Sequence, residues 1–369
     1  MECLISYRIP LIRGCVVTSE GANLPLVAIV TPVYNGAAYL EETMGCVQAQ
    51  TYGKMVHVLL DNASTDETPS IIEKFRNGRV PLVIGRNSKT LDIRENWEVA
   101  VRSSPREATY FLVLCADDLI SPDAIEKMVS LAERDPSIGV VGCLWRSGPD
   151  PRERAEDSRS GLPSNLSVFD GRWFVKSYLM QLHFATSPQY QLIRRDILDR
   201  INPFYSHDKM LMDVDACLKA VIGRKYGLVH ERLGFTRVHG GRITDRLTRP
   251  NRMHEADWVA LIDRYGPSVM SRLEFDKCKA AYLRYYYRRM LLWRFYDGNR
   301  PLYDMHFALL KQRGCEPGVF GYLSALAEWA WLALRNRRQE VSVAKSLWPD
   351  TWAELRASSQ HQDNVETAQ

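Results

Sequence analysis

The stretch Leu26–Thr68, LVAIVTPVYNGAAYLEETMGCVQAQTYGKMVHVLLDNASTDET, alternates two patterns. The runs LVAIVT (26–31) and MVHVLL (55–60) are short, apolar and β-branched, as is typical of buried strands. Between them, AAYLEETMGCVQAQ (37–50) has the apolar spacing of a helix. Short strands that alternate with helices form parallel sheets, so this stretch predicts the first unit of an α/β fold.

The same alternation continues to Cys143. Three more strands are predicted at 80–85, 110–114 and 138–143, and three more helices at 68–75, 91–101 and 122–134. The predicted fold class is α/β, Rossmann-like, with a mostly parallel sheet and helices on both faces, followed by a helical C-terminal region. In such sheets ligands bind at the carboxyl ends of the strands.

Polar clusters stand at four of these predicted strand ends: TPVYNG (31–36), DNASTDET (61–68), RNSKT (86–90) and CADD (115–118). The last cluster places Asp117 beside Asp118, although the next helix has Ser121 and Pro122 to begin it and needs no further carboxylate. Adjacent carboxylates repel each other, and a cation offsets that repulsion. The clusters predict one crevice that binds a ligand and a cation.

Composition excludes several classes. A formal charge of +4 on 369 residues argues against a dedicated nucleic-acid binder. Eight scattered cysteines without close pairs indicate reduced thiols and no zinc site. No GxGxxG follows a strand, and no GxxxxGK[ST] occurs, so the usual dinucleotide and P-loop sites are not indicated. The N-terminal segment lacks the uninterrupted apolar core of a secretory signal, so a cytoplasmic location is expected.

Four regions are predicted: a leader (1–25), a main domain (26–245), a helical region (246–355) and a disordered tail (356–369). No segment reaches the roughly 20 uncharged apolar residues that cross a bilayer. The nearest is VFGYLSALAEWAWLALRNRR, from Val319. It fits either a core helix or an interfacial helix on an anionic membrane, so peripheral membrane association through the C-terminal helices stays open.

In order and spacing, VAIVTPVYNGAAYLEETMGCVQAQTY, VLLDNASTDET, IRENWEVAV, YFLVLCADDLISPDAIEKMV, MLMDVDACLKAV and FTRVHGGRIT resemble the family 2 glycosyltransferases with the GT-A fold. The resemblance covers residues 26–245. It implies a nucleotide-sugar-binding half (26–143) and an acceptor and catalytic-base half (166–245). It also implies a nucleoside-diphosphate sugar donor, an inverting mechanism and a Mg or Mn cofactor.

The resemblance assigns roles to individual residues. It implies that Asp61 and Asn62 bind the base of the donor and that Asp118 ligates the metal, with Asp117 near the ribose or metal. His239 is expected to contact metal or phosphate and Arg242 to donate to a phosphate oxygen. Apart from the resemblance, one of the cations near the third strand end is expected to contact phosphate or base; the candidates are Arg86, Lys89 and Arg94, and Arg94 is the one assigned. The adjoining wall is expected to consist of Thr31, Pro32, Val33, Tyr34 and Asn35. Cys115 departs from the family, since many members carry an acid there.

The family's catalytic base corresponds to Asp213, with Met212 in place of the acid that often precedes it. Asp215 remains an alternative, although it fits better as a carboxylate in the first turn of a helix. General-base chemistry supports the need for one such carboxylate, because the acceptor hydroxyl loses a proton as it attacks.

The favoured donor is a UDP- or dTDP-sugar. An asparagine amide at position 62 could accept the N3–H of uracil or thymine and donate to a neighbouring carbonyl. The expected acceptor is a glycan or glycolipid intermediate of cell-surface polysaccharide synthesis. Two alternatives stay open: a catalytically silent binding module on the same fold, suggested by Cys115 and Met212, and a nucleotidyltransferase, for which TPVYNGAAY is a poor phosphate loop.

Overall fold

A computed structural model of the chain describes residues 24–158, 160–183, 190–206, 208, 211–242 and 249–334. The predicted tail lies outside these residues, as does all but the end of the predicted leader.

One sheet contains the strands of the described residues. In chain order these are β1 (Val27–Val33), β2 (Met55–Asp61), β3 (Leu82–Arg86), β4 (Tyr110–Val113), β5 (Leu119–Ile120), β6 (Ile138–Gly148), β7 (Glu156–Asp157), β8 (Val168–Asp170), β9 (Gln191–Arg194) and β10 (Lys225–Arg237). Their order across the sheet is β3-β2-β1-β4-β9-β6-β10-β5, while β7 pairs with β6 and β8 with β10.

The predicted α/β class is confirmed, and the sheet itself is mixed. β3, β2, β1 and β4 pair in parallel, as the alternation of strands and helices predicts. β9 enters between β4 and β6 and is antiparallel to both. β10 then runs parallel to β6. Two antiparallel steps restore the original direction, so β10 points the same way as β1 and ends at the same edge.

The helices are α1 (Leu40–Gln48), α2 (Thr68–Lys74), α3 (Ile93–Arg102), α4 (Ala124–Ala132), α5 (Gly171–Leu179), α6 (Asp196–Arg200), α7 (Met212–Val221), α8 (Met253–Val269), α9 (Arg272–Leu291), α10 (Arg300–Gln312) and α11 (Val319–Leu334). A π-helical turn, Leu292–Tyr296, continues α9.

Every residue of β1 is buried, because helices cover both faces of the sheet. Ala28 and Val30 belong to the larger core cluster, which also contains side chains of α3, α5 and α7. Val27 and Ile29 point the other way, into a second cluster with side chains of α4. This period of two along a fully buried strand explains why its sequence reads as a continuous apolar run.

The C-terminal helices share the larger core. Trp258 of α8, Tyr286 of α9 and Trp293 of the π-helical turn are buried in the same cluster as β1. A capping box begins α9, since the Ser271 side chain and the Glu274 side chain each bond the other's backbone N–H. Within the described residues, no helix combines the length and apolar content that crossing a membrane requires.

Substitution of Gly171, the first residue of α5, tests how tightly the turn between α7 and β10 packs against this helix. A Cβ there would overlap the carbonyl oxygens of Val221 and Arg224. Because these are backbone atoms, Gly171→Ala should lower the free energy of unfolding by about 2 kcal/mol or more. Gly45 of α1 has open space around it, so Gly45→Ala should raise that free energy by about 0.5–1 kcal/mol. Urea denaturation measures both, and equal effects would contradict the packing described.

Candidate functional site

The loops that follow β1 and β2 are held together by hydrogen bonds. The Asn35 side-chain oxygen accepts the Thr65 N–H at 2.9 Å, and the Gly36 N–H donates to the Thr68 hydroxyl at 2.9 Å. The Ala37 N–H donates to the Asp66 carboxylate at 3.1 Å. The polar residues predicted at these two strand ends therefore build one rim of the crevice.

The predicted wall after β1 is only partly exposed to a ligand. Thr31 is buried, with its hydroxyl 3.0 Å from His57 Nε2, and Pro32 and Val33 are buried as well. These three residues belong to a central strand covered on both faces, and their part in the wall beside the ligand stays a prediction. Tyr34 and Asn35, beyond the strand, are exposed.

Asp61, at the end of β2, is buried and already engaged. Its carboxylate accepts the Ser64 N–H at 2.9 Å and forms an ion pair with Arg86. Arg86, at the end of β3, also donates to the Ser64 carbonyl at 2.9 Å. The ends of β2 and β3 are thus joined by charge, which gives Asp61 a structural task in addition to any contact with a base.

The Asn62 amide is largely used within the protein. Its nitrogen donates to the Leu91 carbonyl at 3.0 Å, while its oxygen accepts the Leu91 N–H at 2.9 Å and the Asn87 side-chain N–H at 2.8 Å. Both lone pairs of the oxygen are taken, so Asn62 cannot accept the N3–H of a pyrimidine in this geometry. These internal bonds limit how Asn62 could contact a base, and its base-reading role stays a prediction. One amide hydrogen remains for donation to a base carbonyl.

Arg94, in the first turn of α3, forms an ion pair with Asp92 at 2.7 Å. Its pKa is raised, first by this hydrogen bond and then by more distant charges that include Asp208 and Asp257. Those two carboxylates belong to the side of the crevice formed by the start of α7 and by α8. Arg94 therefore lies close enough to that side of the crevice to interact with its charges, in addition to its place after β3 in the chain.

The strand-end carboxylates after β4 form a compact cluster. Potential ligand atoms of Cys115, Asp117 and Asp118 all lie within 4.8 Å of one another. Asp118 is buried, and burial raises its pKa well above the ordinary value, with repulsion from Asp117 adding to the shift. The Arg237 N–H, which donates to Asp118 Oδ1 at 3.0 Å, opposes this shift.

The donor set of this cluster fits a hard divalent cation. Carboxylate oxygens are the ligands that Mg and Mn prefer, and Asp117 and Asp118 supply them side by side. Burial and the neighbouring carboxylates raise the pKa of the Cys115 thiol well above its usual range, and sulfur is in any case a poor ligand for a hard cation. Of the three residues in the cluster, the two aspartates are therefore the fitting ligands.

His239 lies beside the cluster. Its Nε2 is 2.9 Å from Asp117 Oδ2, and its Nδ1 accepts the Gly241 N–H at 3.3 Å. With Nδ1 accepting, Nε2 carries the proton and donates to Asp117. In this structure His239 therefore orients Asp117, an arrangement common around metal-binding carboxylates, and its contact with metal or phosphate stays a prediction.

Arg237, the last residue of β10, was not anticipated from the sequence. It is buried, and besides its bond to Asp118 its Nε donates to the Asp117 carbonyl at 3.2 Å. Its guanidinium pairs with Glu42 at 2.7 Å and lies over the Tyr39 ring at 4.7 Å. The available signal was an arginine directly after the short run LGFT, in FTRVHGG.

Asp213, in the first turn of α7, reaches the same crevice. Because α7 leads back to the amino end of β10, its own start lies at the carboxyl edge of the sheet. Asp213 contributes to the raised pKa of Cys115, and the charge of Arg242 acts there in the opposite direction. The cluster, Asp213 and Arg242 are therefore close enough to interact electrostatically.

The environment of Asp213 raises the pKa of its carboxyl group. The side chain is partly exposed, and burial is the first cause that raises its pKa from 3.8 to about 6. Repulsion from Asp257 and Asp215 adds to this rise, while the Val214 N–H, donating to Oδ1 at 2.6 Å, opposes it. A carboxylate with a pKa near neutrality is suited to accepting a proton.

Asp215 is fully buried and enclosed by partners. Its carboxylate accepts bonds from the hydroxyls of Tyr265, at 2.7 Å, and Ser206, and pairs with Arg264 and Lys219, each at 3.1 Å. Burial by itself would raise the pKa of Asp215, but these partners more than offset it and the pKa is lowered. The geometry therefore favours Asp213 over Asp215 as the carboxylate that can meet a substrate.

The family model described as Glycosyl transferase family 2 matches residues 28–218, more than half of the chain. The chain belongs to this family. One relative is an uncharacterized glycosyltransferase of Bacillus subtilis, EpsJ, which is 24% identical over 194 residues, covering 50% of this chain and 52% of the relative. The first curated relatives are matched over only about a third to a half of their own length.

Solved structures share the fold. S. aureus TarS 1–349 in complex with UDP-GlcNAc gives a TM-score of 0.55 at 15% identity, covering 74% of this chain and 73% of TarS. The mannosyltransferase PcManGT from Pyrobaculum calidifontis, in complex with GDP-Man and Mn2+, gives 0.51 at 17% identity, covering 92% of this chain and 87% of PcManGT. Both support a GT-A architecture for the family 2 chain.

Stability measurements should separate the two aspartates of α7. The folded chain holds the Asp213 proton more tightly than the unfolded chain, so this stabilisation is complete below pH 3.8 and is lost as pH rises through about 6. Asp213→Asn should therefore raise the free energy of unfolding at about pH 7.5, by about 1–3 kcal/mol. Asp215→Asn should lower it by about 2–3 kcal/mol, because Lys219 and Arg264 lose their charged partner.

Urea denaturation across this pH range provides the measurement. The gain in Asp213→Asn should disappear in acid, whereas the loss in Asp215→Asn should be largest near neutrality. Destabilisation by Asp213→Asn at about pH 7.5 would contradict the environment described for this carboxylate.

Proposed function

We propose that the chain is an inverting, metal-dependent glycosyltransferase that moves a sugar from a nucleoside-diphosphate sugar to a hydroxyl acceptor. The observation that carries the proposal is the arrangement at the carboxyl edge of the sheet. Two carboxylates suited to a hard cation, Asp117 and Asp118, share a crevice with a separate carboxylate, Asp213, whose pKa is about 6.

Asp117 and Asp118 would hold Mg or Mn, which stabilises negative charge that grows on the leaving diphosphate. Arg242 would donate to a phosphate oxygen, a role supported by the effect of its charge on Cys115 and Asp118. His239 would keep Asp117 oriented through the bond from Nε2.

Asp213 would accept the proton of the acceptor hydroxyl. The acceptor oxygen then forms a bond to the anomeric carbon as the bond from that carbon to the diphosphate oxygen breaks, and the electron pair leaves with the diphosphate. A single displacement of this kind inverts the anomeric configuration. No covalent intermediate with the protein is needed.

The donor that we propose carries a pyrimidine base, as a UDP- or dTDP-sugar. The remaining Asn62 amide hydrogen supports a base with a carbonyl at its edge, and uracil and thymine present two such oxygens. Guanine, with one, is the lesser candidate. The acceptor is a glycan or glycolipid intermediate of surface polysaccharide synthesis, reached in the cytoplasm at the inner face of the membrane, where the exposed C-terminal helices would make peripheral contact.

Two substitutions test the catalytic assignment. Asp118→Asn should keep the fold but abolish transfer and Mn-dependent donor binding. Asp123→Asn serves as a matched control, because that nearby carboxylate pairs on the surface with Lys127 at 2.7 Å. Asp213→Asn should leave donor affinity nearly unchanged and lower turnover roughly 100-fold or more, the range expected for a positioned general base.

The pH dependence adds a second readout. The base must be unprotonated, so wild-type turnover should rise with pH through about 6, and this limb should be absent in Asp213→Asn. These rates need a competent donor with Mn, found by screening nucleotide sugars for release of the nucleoside diphosphate. Full activity of Asp118→Asn would overturn the metal assignment, and a large loss in Asp215→Asn without one in Asp213→Asn would move the base by two residues. A silent binding module would bind donor without Mn dependence and release nothing.

Calorimetry should decide the base of the donor. UDP or dTDP should bind more tightly than GDP in the presence of Mn, because uracil and thymine present two carbonyl oxygens to the Asn62 amide hydrogen and guanine presents one. One neutral hydrogen bond contributes about 0.5–1.5 kcal/mol, so the preference should be roughly two- to tenfold. Tightest binding of GDP by the wild-type protein would refute the pyrimidine proposal.

A further inference from the structure

Helix α11 presents a broad apolar face to solvent. Phe320 is 86% exposed and Leu334 is 87% exposed, so these side chains contact little of the protein. The other large apolar side chains of α11 that are exposed are Val319, Leu323, Leu326, Trp329 and Trp331. Phe320, Leu323, Trp331 and Leu334, with Ala327 and Ala330 between them, recur at the spacing of one helical face.

The opposite side of α11 is attached to the protein. Ala325 is fully buried, and Tyr322 forms a hydroxyl–hydroxyl bond with Tyr303 of α10 at 2.7 Å. Glu328 carries the single charge within Val319–Leu334, and it pairs with Arg284 at 3.0 Å and with Arg288, both of α9. Because this carboxylate is bound to α9, the exposed face itself is uncharged.

The sequence directly after α11 indicates the chemistry of the surface that would cover this apolar face. RNRR, directly after Leu334, brings Arg335, Arg337 and Arg338 within four residues of the end of the apolar face. A second copy of α11 could cover the apolar side chains, but its one carboxylate, Glu328, is already paired with Arg284 and Arg288. An anionic lipid surface matches both, since acyl chains accept Phe and Leu, headgroups attract arginine, and tryptophan favours the boundary between them.

We propose that α11 docks this chain on an anionic lipid surface, with Phe320, Leu323 and Leu334 inserted among the lipids. With 16 residues, α11 spans about 24 Å, so it would lie in the plane of the surface and not cross it. The purpose of this docking rests on the proposed function: it would hold the crevice where a lipid-linked acceptor is presented.

Vesicle co-sedimentation of the full chain tests the proposal, using phosphatidylcholine vesicles with and without phosphatidylglycerol. Wild-type protein should bind the anionic vesicles. Phe320→Glu combined with Leu323→Glu should lower the partition coefficient at least roughly tenfold, because two large apolar side chains no longer leave water. Leu273→Glu is the matched control, since Leu273 of α9 is an exposed leucine outside α11, and its binding should be unchanged.

A charge variant separates the two contributions. Replacing Arg335, Arg337 and Arg338 with Gln should reduce binding to anionic vesicles by roughly fivefold for each arginine and leave the weaker binding to phosphatidylcholine alone unchanged. Circular dichroism confirms that each variant is folded. Release of nucleoside diphosphate from a competent donor, measured without lipid, should be equal in wild type and all these variants.

The outcomes distinguish the hypotheses. No binding of the wild type to anionic vesicles, or equal binding by the Phe320→Glu, Leu323→Glu variant, overturns the docking proposal. If the wild type instead sediments as a dimer that the same variant dissociates, and ignores vesicles, a second copy covers α11. Donor turnover that is absent while vesicle binding follows the expected pattern would count against the proposed function and leave the docking surface supported.

Discussion

The buried carboxylate of Asp118, next to Asp117 at the end of β4, is the constraint around which the crevice is built. Removing Asp118 from water while a second carboxylate stands beside it disfavours ionisation, and its pKa is raised well above the ordinary value. The protein offsets part of this cost with the Arg237 N–H and with the charges of Arg242 and Arg237. A proton removes the remaining imbalance, and the cation of the proposed function would do so in its place.

Arg237 connects the buried carboxylate of Asp118 to a distant strand of the sheet. It ends β10, yet its partners come from β4 through Asp117 and Asp118 and from α1 through Glu42. Because β9 and β6 lie between β4 and β10, this contact closes the crevice across several strands. The position of the carboxylates therefore depends on the correct pairing of distant strands, and an isolated βαβ unit could not reproduce it.

Sequence reasoning predicted much of this arrangement because its signals are local. Buried strands and amphipathic helices have distinct periods, and polar residues directly after apolar runs mark the strand ends. β9 was missed because Gln191–Arg194 is short and its antiparallel pairing is decided by β4 and β6, which lie far away in the chain. The hydrogen-bond partners of Asn62 and Thr31 were missed for the same reason, because Leu91 and His57 lie far from them in the chain.

The two aspartates of α7 show how the C-terminal helices take part in the site. From sequence, Asp213 and Asp215 differ only in register, and the motifs that suggest a base end before α8 begins. In the structure α8 separates them, since Arg264 and Tyr265 bind Asp215, while Asp257 accepts the Leu211 N–H at 2.9 Å and also raises the pKa of Asp213. The helical region is thus part of the framework that gives the two carboxylates opposite pKa shifts.

The same helices connect the crevice to the exposed face of α11. α8 contacts the start of α7, α9 packs along α8, and Arg284 and Arg288 of α9 fix Glu328 of α11. Each of these contacts is buried or partly buried, so the path from Asp213 to the apolar face is a series of packed helices. If α11 rests on a lipid surface, these packed helices fix the direction in which the crevice opens. The lengths and packing of α8 and α9 then determine the distance between that surface and the crevice, which a lipid-linked acceptor has to span.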